Sequence, residues 1–148
     1  MVEIGQLVLV DVQGKPGAGK GDAVIAALQK RQRNASRSYF ECISTSGFLR
    51  GESAEVRQQI LEGEIVADDI VIPRLLSHIE DCRRRSNLIA IDRLYSERQI
   101  EVMTEYYPYA RRFTLDLEVD DKIAFDRMMA RGRDDAHNSR LRLEKYHK

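Results

Sequence analysis

Apolar and polar positions along the chain switch repeatedly between the strand and helix periods. Residues 6–12 form an almost unbroken apolar run, the pattern of a strand buried on both faces of a parallel sheet. Residues 19–33 read as a helix with Ala23, Ala26, Ala27 and Leu28 inward and Lys30, Arg31 and Arg33 at the end that favours cations. A turn at 34–36 leads to a short second strand, Tyr39–Ile43, followed by the punctuation Ser44-Thr45-Ser46-Gly47, whose hydroxyls can cap the next segment. Residues 53–62 predict a helix with Val56, Ile60 and Leu61 on one side and Ser53 as its cap, closed by Gly63. Asp68 or Asp69 opens a longer helix, 69–85, with Pro73 in or near its first turn. The run 87–92 is a third strand ending in Asp92. Residues 96–107 are a helix stopped before Pro108, and 112–119 alternate as a fourth, less buried strand. Two Arg-rich helices, 121–133 and 136–146, complete the pattern.

Strands alternating with helices predict an α/β fold in one domain, 1–148, with a parallel sheet of about four to five strands, helices on both faces and right-handed crossovers. In such sheets ligands sit beyond the carboxyl ends of the strands. Gly14–Lys20, Ser44–Arg50, Asp92 and the segment after Val119 therefore belong on one edge. Composition changes this little: 43% hydrophobic and 32% charged residues are ordinary for a soluble domain. Lys plus Arg and Asp plus Glu balance at 24 each, which argues against a general nucleic-acid or membrane partner. Cys42 and Cys82 have no metal-ligand spacing and read as reduced thiols. The histidines, His78, His137 and His147, do not make a metal site. With no basic-flanked leader and no apolar run of spanning length, the expected location is cytoplasmic.

The chemistry starts where the first strand breaks into Gly14-Lys15-Pro16-Gly17-Ala18-Gly19-Lys20-Gly21 before a helix-type sequence. A glycine-rich turn at the positive end of a helix aims several backbone N–H groups inward and cradles phosphate. Gly14-x4-Gly19-Lys20 matches the spacing of a phosphate-binding loop, with Lys20 placed for the β/γ-phosphates of a nucleotide. Asp92, ending an apolar strand beside that loop, stands where a carboxylate holds Mg²⁺, usually through water. Arg50, Arg127, Arg131, Arg133, Arg140 and Arg142 form a second set. Phosphoryl transfer needs cationic forks around the equatorial oxygens, and the topology brings this set over the phosphates.

On these stretches the chain resembles the adenylate kinase family of nucleoside monophosphate kinases, which share a three-layer P-loop NTPase fold. The matches run in order over about 140 of the 148 residues: Gly14 to Gly21, Ile43-Ser44-Thr45 with Leu49-Arg50, Gly63 to Val66 with Asp69 to Val71, Ile91-Asp92, Arg127 with Arg131 to Asp135, and Arg142 to Tyr146. The resemblance implies transfer of the γ-phosphoryl group of Mg-ATP to a nucleoside monophosphate. Gly14, Pro16, Gly17, Ala18, Gly19, Lys20, Gly21 and Asp22 would hold the donor phosphates, and Arg127 would stack on the donor adenine. Thr45 and Arg50 would meet the acceptor nucleotide, in a helical region of about 45–80, and Val66 would line its base. Lys20, Arg50, Arg131, Arg133 and Arg142 would serve the transfer, with Asp134 and Asp135 holding the arginines in place. The lid is reduced to about 131–133. A sheet edge left open could be covered in a dimer; the expected state is monomer or dimer.

Three departures stand out. The family has Thr or Ser where Asp22 stands; its Thr-Gly-Asp reads Thr45-Ser46-Gly47; and its Asp-Gly-x-Pro-Arg reads Asp92-Arg93-Leu94-Tyr95-Ser96. Arg93 or Arg98 would replace the displaced acceptor-phosphate arginine, and Gln99 the adenine-reading glutamine. These departures leave two other readings of the chain: a degenerate nucleotide binder with a regulatory or interaction role, and a small kinase with a non-nucleotide acceptor. A carboxylate at position 22 either places Mg²⁺ or, the reading favoured here, adds negative charge beside an anionic ligand and weakens ATP binding. Asp22→Thr is therefore expected to tighten ATP binding in a titration calorimeter; unchanged or weaker affinity would contradict this.

Overall fold

A computed structural model of the chain describes residues 5–21, 26–27, 30, 40–132 and 135–147. Asp22, Arg133 and Asp134 lie outside the described residues. Four strands, β1 (Val8–Gly14), β2 (Phe40–Ser44), β3 (Leu88–Asp92) and β4 (Arg111–Leu117), form one parallel sheet in the order β2-β3-β1-β4. Asp92 pairs with Val12 on one side and with Ser44 on the other, so the ends of three strands share one edge. This is the α/β fold with a parallel sheet of four strands that the hydrophobic pattern predicted.

Six further elements are α1 (Thr45–Leu49), α2 (Ala54–Leu61), α3 (Asp68–Arg83), α4 (Glu97–Tyr106), α5 (Asp121–Arg131) and α6 (Ala136–Tyr146). Alternation along the strands splits the sheet into two apolar faces. Leu9, Ile43, Ile89 and Ile91 pack on Leu75 and Ile79 of α3 and Val102 and Met103 of α4. Val12, Phe40 and Ala90 form the opposite face. Ser53, Ser96 and Asp120 cap α2, α4 and α5 by accepting from backbone N–H groups of Val56, Gln99 and Lys122.

Three features differ from the pattern's reading, and a fourth, the exposure of β4, bears out the lesser burial it predicted. Ser44-Thr45-Ser46-Gly47 is a helix start: Ser44 caps α1 by accepting from Gly47 N, and that one bond suffices to begin a short helix in a sequence of poor helix formers. Pro73 falls in the second turn of α3, where it leaves the Asp69 carbonyl without its helical partner. Both residues are exposed, so water can take the missing place. Ala26 and Ala27, expected inward, are helical but exposed; a methyl group buries too little area to decide which face turns in. β4 is exposed along nearly its whole length, being an outer strand.

The loop after β1 is locked to α5 by a backbone approach. Gly17 has φ +80°, and a Cβ there would lie 2.2 Å from the Ala124 carbonyl oxygen. Gly17→Ala combines left-handed strain with a clash against backbone that cannot swing aside. Each costs about 1–3 kcal/mol, so the variant is expected to lose about 2–5 kcal/mol in chemical denaturation. A loss under about 1 kcal/mol would mean that the loop and α5 separate freely.

Candidate functional site

A cavity of about 470 Å³ opens at the carboxyl edge of the sheet, between the glycine loop, the segments after β2 and β3, and the α5–α6 hairpin. Pro16, Gly17, Gly19, Lys20 and Gly21 line one side of it. Arg50, Arg93, Arg131 and Arg142 bring four guanidinium groups to it from four different segments. Leu49, Ile60, Leu61, Val66 and Val71 give it one apolar wall.

Three residues spaced along one stripe of α5 hold the loop. Asp121 pairs with Lys15, Ala124 packs its backbone on Gly17, and Arg127 Nη1 donates to the Ala18 carbonyl at 3.2 Å. Arg127 is thus a brace on the loop and is not among the residues lining the cavity. The loop lysine, Lys20, donates to the carbonyls of Gly14 (2.8 Å) and Lys15 (3.3 Å). Burial pushes its ammonium down to about 8; Asp92 pulls it back up, while Arg93, Arg142 and Arg131 lower it further. Asp92 is held above the ordinary carboxylate range by burial, offset by the positive charges of Lys20 and Arg93.

A second glycine fixes the other half of the hairpin. Gly63 has φ +72°, and a Cβ on it would lie 2.8 Å from Arg142 Cγ. The stem of Arg142 therefore lies across the turn after α2. Lys145 Nζ reinforces the contact by donating to the Glu62 carbonyl at 3.0 Å and pairing with Glu64 at 3.5 Å. Asp135, expected to hold the arginines, caps α6 by accepting from Asn138 N at 2.8 Å. Only residues 132–135 separate α5 from α6.

Just after β3, Arg93 is the one described non-glycine residue with positive φ, at 68°. Its neighbours over-determine that strained state. Arg93 N donates to the Ile91 carbonyl, and its own carbonyl accepts from Thr45 Oγ1 at 3.3 Å. Leu94 N donates to Asp11 at 2.9 Å, and the Leu94 carbonyl accepts from Gln13 at 2.8 Å. The turned backbone sends the Arg93 guanidinium between the rings of Tyr95 (4.7 Å) and Tyr146 (4.8 Å). Asp11 and Gln13 were missed in the sequence, although a lone carboxylate inside an apolar strand was the available signal. Burial raises the Asp11 carboxyl above its ordinary range, against the lowering effect of its hydrogen bonds to Gln13 and Leu94 and of the Arg93 charge.

The remaining candidates divide. Val66 and Gln99 line the cavity. Both ends of the buried Gln99 amide are already engaged: Oε1 accepts from Tyr95 N and Nε2 donates to Asp68, each near 2.9 Å or shorter. Ser96 Oγ donates to the same carboxylate. Thr45 is buried beneath Arg93, and neither it, Gly14 nor Ala18 is a lining residue. Arg98 is not brought to the site; it lies exposed on α4, paired with Glu101 and Glu105. Among the described residues no three His, Cys, Asp or Glu side chains cluster as a metal site. No helix among them is long and apolar enough to cross a membrane.

No protein-family model matches the sequence, and a search of curated proteins returns no match. Solved structures do match the fold. A gluconokinase from Sinorhizobium meliloti 1021 aligns over 93% of this chain and 73% of its own, with TM-score 0.58 and 17% identity. A chain of a Pnkp1/Rnl/Hen1 RNA repair complex aligns over 94% of this chain with TM-score 0.56 and 15% identity, and this chain spans 43% of it. At such identities the shared property is the P-loop kinase fold.

The depressed pKa of Lys20 makes phosphate binding pH-dependent. A bound polyphosphate favours the charged ammonium, so above about 8 the ligand is taken up together with a proton. With ATP as the probe, affinity is expected to hold level from about pH 7 to 8 and to fall by up to about tenfold per pH unit beyond. Calorimetry in buffers of different ionisation heat checks the proton uptake; a flat affinity across this range would contradict it.

Proposed function

We propose that the chain is a phosphotransferase that moves the γ-phosphoryl group of ATP to a nucleoside monophosphate. The observation that carries the reading is the convergence of Lys20, Arg50, Arg93, Arg131 and Arg142 on one cavity lined by the glycine loop. Phosphoryl transfer asks mostly for positioning and charge stabilisation, and five cations from separate elements supply both.

In this reading the loop N–H groups and Lys20 hold the donor β- and γ-phosphates. Arg131 and Arg142, anchored through the Gly17 and Gly63 contacts, face the group in transit. Arg50 and Arg93 hold the acceptor anion, and the wall of Leu49, Ile60 and Val66 receives its base. An oxygen of the acceptor phosphate attacks the γ-phosphorus while the bond to the β,γ-bridging oxygen breaks, and that oxygen leaves with the electron pair on ADP. Asp92 and Glu64 are the carboxylates lining the cavity, and Glu64 is paired with Lys145. A phosphate acceptor suits this sparse set of bases, because its oxygen is already ionised, whereas a hydroxyl acceptor must lose a proton. One carboxylate near the loop fits a Mg²⁺ that arrives with the nucleotide, and Asp92 would hold it there. When bound, that ion neutralises phosphate charge.

The engaged amide of Gln99 favours a second acceptor class, a polyhydroxy acid, which needs no base reader. The resemblance to a gluconokinase fold makes gluconate the probe for it.

Diphosphate formation from Mg-ATP and a panel of nucleoside monophosphates, with gluconate alongside, tests the proposal. Lys20→Met is expected to lower turnover by at least about a hundredfold. Arg93→Ala is expected to raise the acceptor KM about ten- to a hundredfold with the ATP KM little changed. Clear ATP binding with no product from any acceptor would overturn the reading and leave a regulatory nucleotide binder.

A further inference from the structure

We infer that β4 is a self-pairing edge, on which a second copy of this chain adds its own β4 antiparallel to build a continuous eight-stranded sheet.

Among the described residues the outer strand leaves one row of backbone groups unpaired, and the hydrogen-bond pattern identifies the row. Arg111 N donates to the Leu7 carbonyl, and β4 runs parallel to β1 in register from Val8↔Arg111 to Gly14↔Leu117. Residues 111, 113, 115 and 117 therefore direct their N–H and C=O toward β1. Arg112, Thr114 and Asp116 direct theirs outward, where no described strand meets them. Exposed side chains flank the row: Phe113 is 52% and Leu115 43% accessible on one face, while on the other Arg112 donates to Thr104 Oγ1 of α4.

The sequence of this row is antisymmetric in charge about Thr114. It reads Arg111-Arg112-Phe113-Thr114-Leu115-Asp116-Leu117-Glu118, basic before the centre and acidic after it. In an antiparallel pair, outward residues must oppose outward residues. The register centred on Thr114 does this and sets Thr114 against its own copy. Each Arg112 then stands opposite the other copy's Asp116, and Phe113 opposite Leu115. The register centred on Phe113 loses a bonded pair and both charge matches; the one centred on Leu115 also loses a bonded pair within β4 and moves Arg112 opposite Glu118, beyond the end of the strand. Edge strands that merely repel other edges carry charge of one sign or inward-pointing charge. An edge whose two halves attract each other across a two-fold axis selects one partner and one register. The pairing leaves both cavities free, since they lie at the carboxyl ends of the strands, and directs them to opposite ends of the joined sheet.

Sedimentation velocity on the full chain tests this, independently of any catalytic activity. The wild-type chain is expected to run at twice the monomer mass. Arg112→Glu sets like charges opposite each other, as does Asp116→Arg, and each is expected to weaken self-association about ten- to a hundredfold. The double variant Arg112→Glu/Asp116→Arg is expected to restore the dimer. An equimolar mixture of the two single variants is expected to form heterodimers, since both of their cross-strand pairs attract. Circular dichroism spectra matching the wild type show that the variants fold. A monomeric wild-type chain, or single variants that stay dimeric, would overturn the inference.

Discussion

Two close approaches at glycines, one against backbone and one against an arginine stem, set the geometry of the site. Gly17 lets the phosphate loop close on Ala124 of α5, and Gly63 lets the turn after α2 close on Arg142 of α6. The helical hairpin is thereby pinned to the glycine loop by one helix and to the turn after α2 by the other. Its two cavity arginines, Arg131 and Arg142, inherit their positions from these contacts and need no separate scaffold. Electrostatic pairs then trim the arrangement: Asp121 to Lys15, and Lys145 to the 62–64 turn. Such exposed pairs contribute little energy individually, so the close packing is the fixed part and the charges are its adjustment.

The charge distribution of the chain is balanced overall and unbalanced locally. Equal numbers of acidic and basic residues give no net charge, yet the cavity gathers five cations against two carboxylates. Part of that cost is visible in the loop lysine. Burial and three neighbouring guanidinium groups depress it, and a single carboxylate, Asp92, opposes them. An anionic ligand relieves both the repulsion and the lost hydration. The empty site is thus the less comfortable state, and binding is favoured by what it removes as well as by what it forms. Arg93 belongs to the same logic. Its left-handed backbone is a local cost, held in place by four backbone groups bonded to Ile91, Thr45, Asp11 and Gln13.

Much of this was legible in the sequence. The apolar runs, the glycine spacing and the carboxylate ending the third strand are local signals, and the strand–helix alternation places their ends on one edge. What could not be read was whatever depends on contacts between distant segments. The sequence offers Arg93 and Arg98 as equals; only the turn built by Asp11 and Gln13 sends one inward, while Glu101 and Glu105 hold the other on the surface. Gln99 has the chemistry of a base reader, but Asp68, distant in sequence, takes its amide. Arg127 shares a helical face with Arg131, yet the loop carbonyls claim its fork. α1 was hidden because Ser, Thr and Gly read as a turn until the Ser44 cap is seen to start a helix.

The tip of the α5–α6 hairpin is the place where this architecture is open to change. Both anchors grip the helices of the hairpin, at Ala124 and at Arg142, whereas a side chain at Gly132 would meet nothing within 4 Å. Chain inserted there would add a cover over the cavity without moving the arginines below it. Grip on the phosphates and shelter from water are therefore separable properties in this scaffold. One can be lengthened, shortened or exchanged while the other stays as it is.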